Sequence, residues 1–280
     1  MPTKSLRVAV LCLFALPLLA AATEENHPPI HVNHPALKSL SWQLAAEGAT
    51  FRGYSTFDMI DLLHSLDCHH IELAPGQPLS GDHAGVVVGH DMPTADVDAL
   101  LAKLKSVKMD IVSYGPVQLK DDETARAVFE FAKKLKAKNV VISQSAVTME
   151  SLDGIASQAK VKAALLLPGA VGSAKEKGGL QGAFDNRSPN VGACVEIDGS
   201  ADGAPMSDAI KQLGNRLIEV QLTHVGPKIA PVLQQLKDQG FKGVCAVKHD
   251  DAGTRDEAVD GFIASVNAFS DILAKIAGAH

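Results

Sequence analysis

Eight times beyond Leu40 the sequence passes from a short apolar run to a longer amphipathic one, and no break in composition interrupts the series. The strand-like runs are Ser39–Leu44, His69–Ala74, Met109–Tyr114, Asn139–Ser143, Val161–Leu167, Asn190–Ile197, Arg216–Leu222 and Gly243–His249. Between and after them, apolar residues recur at three- and four-residue spacing in Thr56–Leu66, Thr94–Val107, Asp121–Ala137, Met206–Leu213, Lys228–Gln239 and Asp256–Ala277. Thr148–Lys160 reads as a modest helix, and the Gly-rich stretch Gly169–Arg187 reads as loop. Such β-then-α units predict a single (β/α)8 TIM barrel over 39–280. An open doubly wound sheet is the other topology, but neither a G-x-G-x-x-G nor a P-loop supports nucleotide binding.

The segment before the barrel has a different character. Lys4 and Arg7 precede an apolar run from Val8 to Leu19, followed by Ala20-Ala21-Ala22, the layout of a signal peptide over 1–22. That run is too short for a membrane span of about 20 residues, so an exported protein, periplasmic or secreted and off the membrane after cleavage, is expected. Residues 23–38 are rich in Pro, His, Asn and Glu and are expected to form a flexible tether. Cleavage removes Cys12 and leaves Cys68, Cys194 and Cys245, none in a C-x-x-C pair; buried free thiols are the expectation.

Composition bears on partners. Lys and Arg total 26 against 32 Asp and Glu, and this acidic balance argues against nucleic acid, whose binding needs clustered basic residues to displace counterions. With Trp 1, Tyr 2 and Phe 9, little is left for an aromatic stacking platform.

In such a barrel chemistry belongs at the carboxyl ends of the strands, and alternation selects the side chains that face inward. Glu72 ends the second run and Gln144 the fourth, and Glu196 closes the sixth. Glu219, Gln221 and Thr223 share a parity on the seventh, with His224 following. Lys248 belongs to the eighth, with His249, Asp250 and Asp251 beside it. So many polar groups at adjoining strand ends are costly in a dry core unless paired or solvated, and they predict a lined pocket.

The order of these motifs resembles the sugar phosphate isomerase/epimerase family with its xylose isomerase-like barrel. The resemblance runs from about Leu40 to Ala277. It is carried by Glu72-Leu73-Ala74-Pro75-Gly76-Gln77-Pro78-Leu79, Val112-Ser113-Tyr114-Gly115, Phe129-Glu130-Phe131-Ala132-Lys133-Lys134, Val191-Gly192-Ala193-Cys194-Val195 and Leu236-Lys237-Asp238-Gln239-Gly240-Phe241-Lys242-Gly243. It implies a divalent metal (Mn, Mg or Zn) held by Glu, Asp, His and Glu from strands four, six, seven and eight. Such an ion polarises a sugar carbonyl while carboxylates move the proton. In this chain those four positions correspond to Gln144, Glu196, Gln221 and Lys248, so three of the four are not ligand-like. Leu165-Leu166-Leu167-Pro168, Glu196-Ile197-Asp198-Gly199 and Gln221-Leu222-Thr223-His224 likewise replace the family's motifs after strands five, six and seven.

These replacements leave two main functions open. One is a metal-free, non-catalytic barrel that binds a small sugar or polyol through Glu72, Gln144, Glu196, Gln221 and Lys248, with His224, His249 and Asp250 as further binding residues. The other is an active isomerase or epimerase with a rearranged site, in which Glu72, Glu196 and Lys248 are the catalytic candidates and a divalent ion is the cofactor. A third route, a Schiff base between a desolvated Lys248 and a sugar carbonyl, requires a lowered lysine pKa.

Overall fold

The structure is a computed structural model describing residues 27–167, 182, 184–201, 204–250 and 253–278. The signal-like segment, Asp251 and most of the Gly169–Arg187 stretch therefore lie outside the described residues. Eight parallel strands close into a barrel in chain order: β1 Gln43–Glu47, β2 His70–Leu73, β3 Asp110–Leu119, β4 Asn139–Ser145, β5 Lys162–Leu167, β6 Val191–Asp198, β7 Leu217–Thr223 and β8 Val244–Val247. Closure is by β1 against β8, with Gln43 opposite Val244 and Ala46 opposite Val247. The predicted (β/α)8 barrel is the observed fold.

The principal described helices are α1 His34–Leu40, α2 Thr56–Ser65, α3 Thr94–Ser106, α4 Asp122–Lys134, α5 Met149–Ala159, α6 Ala204–Leu213, α7 Ala230–Asp238 and α8 Arg255–Ala277. Side-chain caps start several of them: Ser55 accepts from Asp58 N, Asp121 from Thr124 N and Thr148 from Ser151 N. Thr254 and Glu257 form a capping box on α8. Although α8 has 23 residues, no helix among the described residues is long and apolar enough to cross a membrane.

Two expectations near the amino terminus are corrected. The first strand begins at Gln43, because residues expected to start it belong to α1, which Asn33 caps, Pro35 opens and left-handed Ser41 ends. Glu47 thereby becomes the end of β1. The described part of the expected tether, 27–38, is not a free chain: residues 34–38 belong to α1, and the stretch before them lies along α8. His31 N donates to Asn267 Oδ1, Asn33 N to Ser270 Oγ, and Asn267 Nδ2 to the Pro29 carbonyl. Partly buried Ile30 and Val32 add apolar contact with the core, which repays the ordering.

The main core lies between strands and helices. Phe51 and Phe262 meet edge to face at 5.3 Å, as do Tyr114 and Phe131 at 5.0 Å. The barrel interior is filled by smaller groups, with Ala45, Val112, Val244 and Ala246 in one cluster and Val141, Ala164, Cys194 and Ile218 in another. Gly192 is needed there, since a Cβ would stand 2.1 Å from the Arg216 carbonyl oxygen. Cys68, Cys194 and Cys245 are free and buried; burial raises the Cys68 thiol pKa to about 12 and the Cys194 thiol well above its usual value.

Candidate functional site: a buried carboxylate network beneath a lysine at the barrel mouth

The ends of β1, β2 and β7 bring three glutamates into the barrel. Glu47 is 2% exposed, and Glu72 and Glu219 are fully buried. Neutral donors surround them. Gln221 Nε2 donates to Glu72 Oε1 at 2.7 Å, while Ser113 Oγ and Asn139 Nδ2 donate to Glu219 Oε2 at 2.5 and 3.1 Å. Glu47 Oε2, Glu72 Oε2 and Glu219 Oε1 find no donor among the described residues unless one of the acids carries a proton.

Electrostatics supply that proton. Burial, then the charges of Glu219 and Glu47, push Glu72 well above the usual carboxylate range against the smaller opposing effect of Gln221. Burial also raises Glu219 to about 7, opposed by the hydrogen bonds from Ser113, Asn139 and Glu72. Glu47 is raised to about 7, first by burial and against the nearby Lys248 charge. The network at neutral pH therefore holds a protonated Glu72 donating towards Glu219, beside two acids that titrate near neutrality.

Above this layer, Lys248 follows β8. Its ammonium lies 2.8 Å from Glu196 Oε1 and 3.0 Å from Asp250 Oδ2. Burial lowers its pKa, but the hydrogen bonds and charges of Glu196 and Asp250 outweigh burial and raise it overall. That direction opposes Schiff-base chemistry, which needs a neutral amine.

The remaining candidates lie apart from these two groups. Gln144 is exposed at the end of β4, past a register irregularity, and makes no hydrogen bond with Glu196, Gln221 or Lys248. His224 Nδ1 pairs with Asp198 Oδ1 at 3.0 Å on an exposed loop. There the Ser200 amide first, and then His224, hold the Asp198 carboxyl below its usual range. The His249 ring lies against α8, where a Cβ on Gly261 would come within 2.5 Å of it. His249 and Asp250 also line a cleft of ≈ 310 Å³ beside the mouth, together with Arg52, Tyr54 and Arg255.

Glu47, Ser113 and Asn139 did not emerge as site residues from the sequence. For Ser113 and Asn139 the available signal was a polar residue at an inward strand position.

These residues do not fit the divalent ion that the resemblance implies. Lys248 places an ammonium where a carboxylate ligand would stand and neutralises Glu196, Gln221 spends its amide on Glu72, and Gln144 stands apart. No group of three or more His, Cys, Asp or Glu among the described residues is arranged to hold a metal.

No protein-family model and no curated protein matches the chain. Solved structures do. An uncharacterised protein from Parabacteroides distasonis shares 16% identity at a TM-score of 0.68, covering 82% of this chain and all of the other. A D-tagatose 3-epimerase-like protein shares 14% at 0.59, covering 84% and 99%. A D-allulose 3-epimerase from Methylomonas sp. in complex with D-allulose shares 16% at 0.55, covering 85% and 94%. What is shared is the fold, a closed (β/α)8 barrel.

Proposed function

We propose that this chain is an exported barrel that binds a small sugar or polyol at its mouth without a divalent ion and does not turn it over. The observation carrying this reading is Lys248, doubly paired to Glu196 and Asp250. A fixed ammonium and two carboxylates supply donors and acceptors to hydroxyls, while the same ammonium repels a dication. D-allulose bound to a protein of the same fold supports a sugar-sized ligand. The charged leader-like segment Lys4–Ala22 supports export, and outside the cytoplasm free or oxidised sugars are the more accessible ligands.

The deciding experiment is a melting screen of the purified chain from Thr23 onward against free ketoses, aldoses, polyols and sugar acids, with manganese or with chelator, accompanied by metal analysis. The reading expects a sugar-dependent rise in Tm that chelator leaves unchanged. One tightly held equivalent of metal, or stabilisation that requires manganese, overturns it.

Glu47 favours a second reading. An acid raised to about 7 and buried at the strand ends is matched to proton transfer at neutral pH. In an active isomerase or epimerase with this rearranged site, Glu47 would take the proton beside the sugar carbonyl and protonated Glu72 would supply one. Exchange of substrate carbon-bound hydrogen with deuterated water, abolished in Glu47→Gln, selects this reading over the first.

A further inference from the structure

The end of the barrel opposite the mouth carries two adjoining clefts of ≈ 720 and ≈ 680 Å³, both bordered by Gln43, Lys136 and Lys138. The larger is lined by Lys133, Lys136, Lys138, Lys160, Lys162 and Lys242, and no Asp or Glu lines it. The smaller adds Lys105 and Lys108, with Asp110 as its one acid. This concentration stands on a chain whose formal net charge is -6.

Five of the larger cleft's six lysines come from one repeated turn. Each helix-to-strand junction has a left-handed residue, a buried apolar residue and then an outward residue: Lys136-Ala137-Lys138, Lys160-Val161-Lys162 and Gly240-Phe241-Lys242. Glycine fills the left-handed position in the last, at φ 69. Lys136 and Lys160 occupy it at φ 61 and 60, and Lys108 in the neighbouring unit at φ 56. A side chain with a Cβ is disfavoured in that region, so glycine would suit the backbone better. Nor do these lysines gain partners in exchange. Lys133 pairs with Glu130 at 3.3 Å and Lys138 donates to Gln43 at 2.6 Å, whereas Lys136, Lys160, Lys162 and Lys242 form no ion pair among the described residues. Like charges gathered in a concave site, four of them without an ion pair and two of those four at left-handed backbone, are complementary to a polyanion.

We infer that the amino-terminal end of the barrel is a binding site for an acidic glycan chain, recognised through regularly spaced carboxylate or sulfate groups. Two clefts in continuation suit a linear ligand better than a compact one. A lipid surface is a poor match, because the one exposed large hydrophobic residue among those described, Val87, lies outside both clefts. A nucleic-acid strand is disfavoured because no aromatic side chain lines either cleft for base stacking. The site is independent of the sugar-binding reading of the opposite end, and either can fail alone.

The test uses the folded chain from Thr23 onward and fluorescence anisotropy at about 20 mM and about 200 mM NaCl. Probes are a labelled heparin dodecasaccharide, an oligogalacturonate, neutral dextran, and single- and double-stranded DNA of matched charge. Both acidic glycans are expected to bind more tightly than DNA and to weaken steeply with salt, with dextran inert. The informative variant is Lys136→Gly with Lys160→Gly, which removes two charges where the backbone already favours glycine. Its affinity for the acidic glycans is expected to fall about tenfold or more, with Tm unchanged or raised. Lys162→Gln with Lys242→Gln should weaken binding comparably. Absence of glycan binding at low salt, unchanged affinity in both folded variants, or DNA binding as tight as glycan binding overturns the inference.

Discussion

Gln221 Nε2 reaches across the barrel interior to Glu72 Oε1 at 2.7 Å, joining β7 to β2 with both side chains buried. The partner it serves is a neutral acid, because burial and the charges of Glu219 and Glu47 hold a proton on Glu72. An amide donor thus satisfies a buried oxygen without adding charge to an already crowded interior.

Removing only the donor should be worse than removing both partners. Gln221→Leu leaves a buried oxygen unsatisfied and is expected to cost about 1–3 kcal/mol. Gln221→Leu combined with Glu72→Leu should recover much of that loss, since no orphaned group remains. Urea denaturation of the four members of the double-mutant cycle measures the coupling directly.

Glu47 should make the protein less stable as pH rises. Its pKa goes from 4.5 to about 7 on folding, so the native state holds the proton more tightly than the unfolded chain. The resulting stabilisation is complete below 4.5, is lost as pH climbs through about 7, and stays lost above it. Glu47→Gln imitates the neutral acid at every pH. Its stability relative to the parent is expected to improve between acidic and alkaline buffer by on the order of 3 kcal/mol, read from paired denaturation curves.

Lys248 opposes that shift through its charge. Lys248→Met should therefore raise the Glu47 midpoint by roughly one pH unit, followed by carboxyl carbon NMR. The ion pairs themselves should count for less. Asp250 is 51% exposed, so losing that contact is expected to cost at most about 1 kcal/mol. A Glu47 midpoint unmoved by the substitution would mean that solvent screens the pair.

The alternation of short and long runs made the barrel legible, and strand parity brought Glu72, Glu219 and Gln221 to one interior. Glu47 was hidden by a local ambiguity: Leu37, Leu40, Trp42 and Leu44 continue an apolar pattern from a helix into a strand. The boundary is set by the Asn33 cap and left-handed Ser41 rather than by hydrophobicity. Asn139 and Ser113 acquire a role only because a carboxylate from β7, far away in sequence, reaches them. Of the basic clefts the sequence shows only a part: Lys133, Lys134, Lys136 and Lys138 stand together at the end of the expected helix Asp121–Ala137, whereas Lys160, Lys162 and Lys242 join them from turns far apart in sequence.

Asn33 should matter although it precedes the barrel. Its side chain accepts from Ala36 N to start α1, and its backbone donates to Ser270 on α8. Asn33→Ala removes the cap and is expected to cost about 1 kcal/mol. Hydrogen exchange should quicken over α1 and leave β4 to β6 unchanged, as separate local opening of the amino-terminal segment requires.

Gly192 tests how tightly the interior is built. It is the second residue of β6, close to the bulge where Cys194 comes opposite Glu219, and a Cβ there would lie 2.1 Å from the Arg216 carbonyl oxygen and 3.0 Å from the Ile218 side chain. Ile218 can adjust its rotamer, but the carbonyl belongs to backbone held by the Arg216–Leu217 turn into β7. Gly192→Ala is therefore expected to cost about 3 kcal/mol or more. Gly214→Ala separates crowding from conformational strain, because Gly214 has φ 52 but nothing within 4 Å of an added Cβ. That control should lose only about 1 kcal/mol. Equal losses in the two variants, measured by urea denaturation, would show that the interior yields where the Arg216 carbonyl is expected to hold firm.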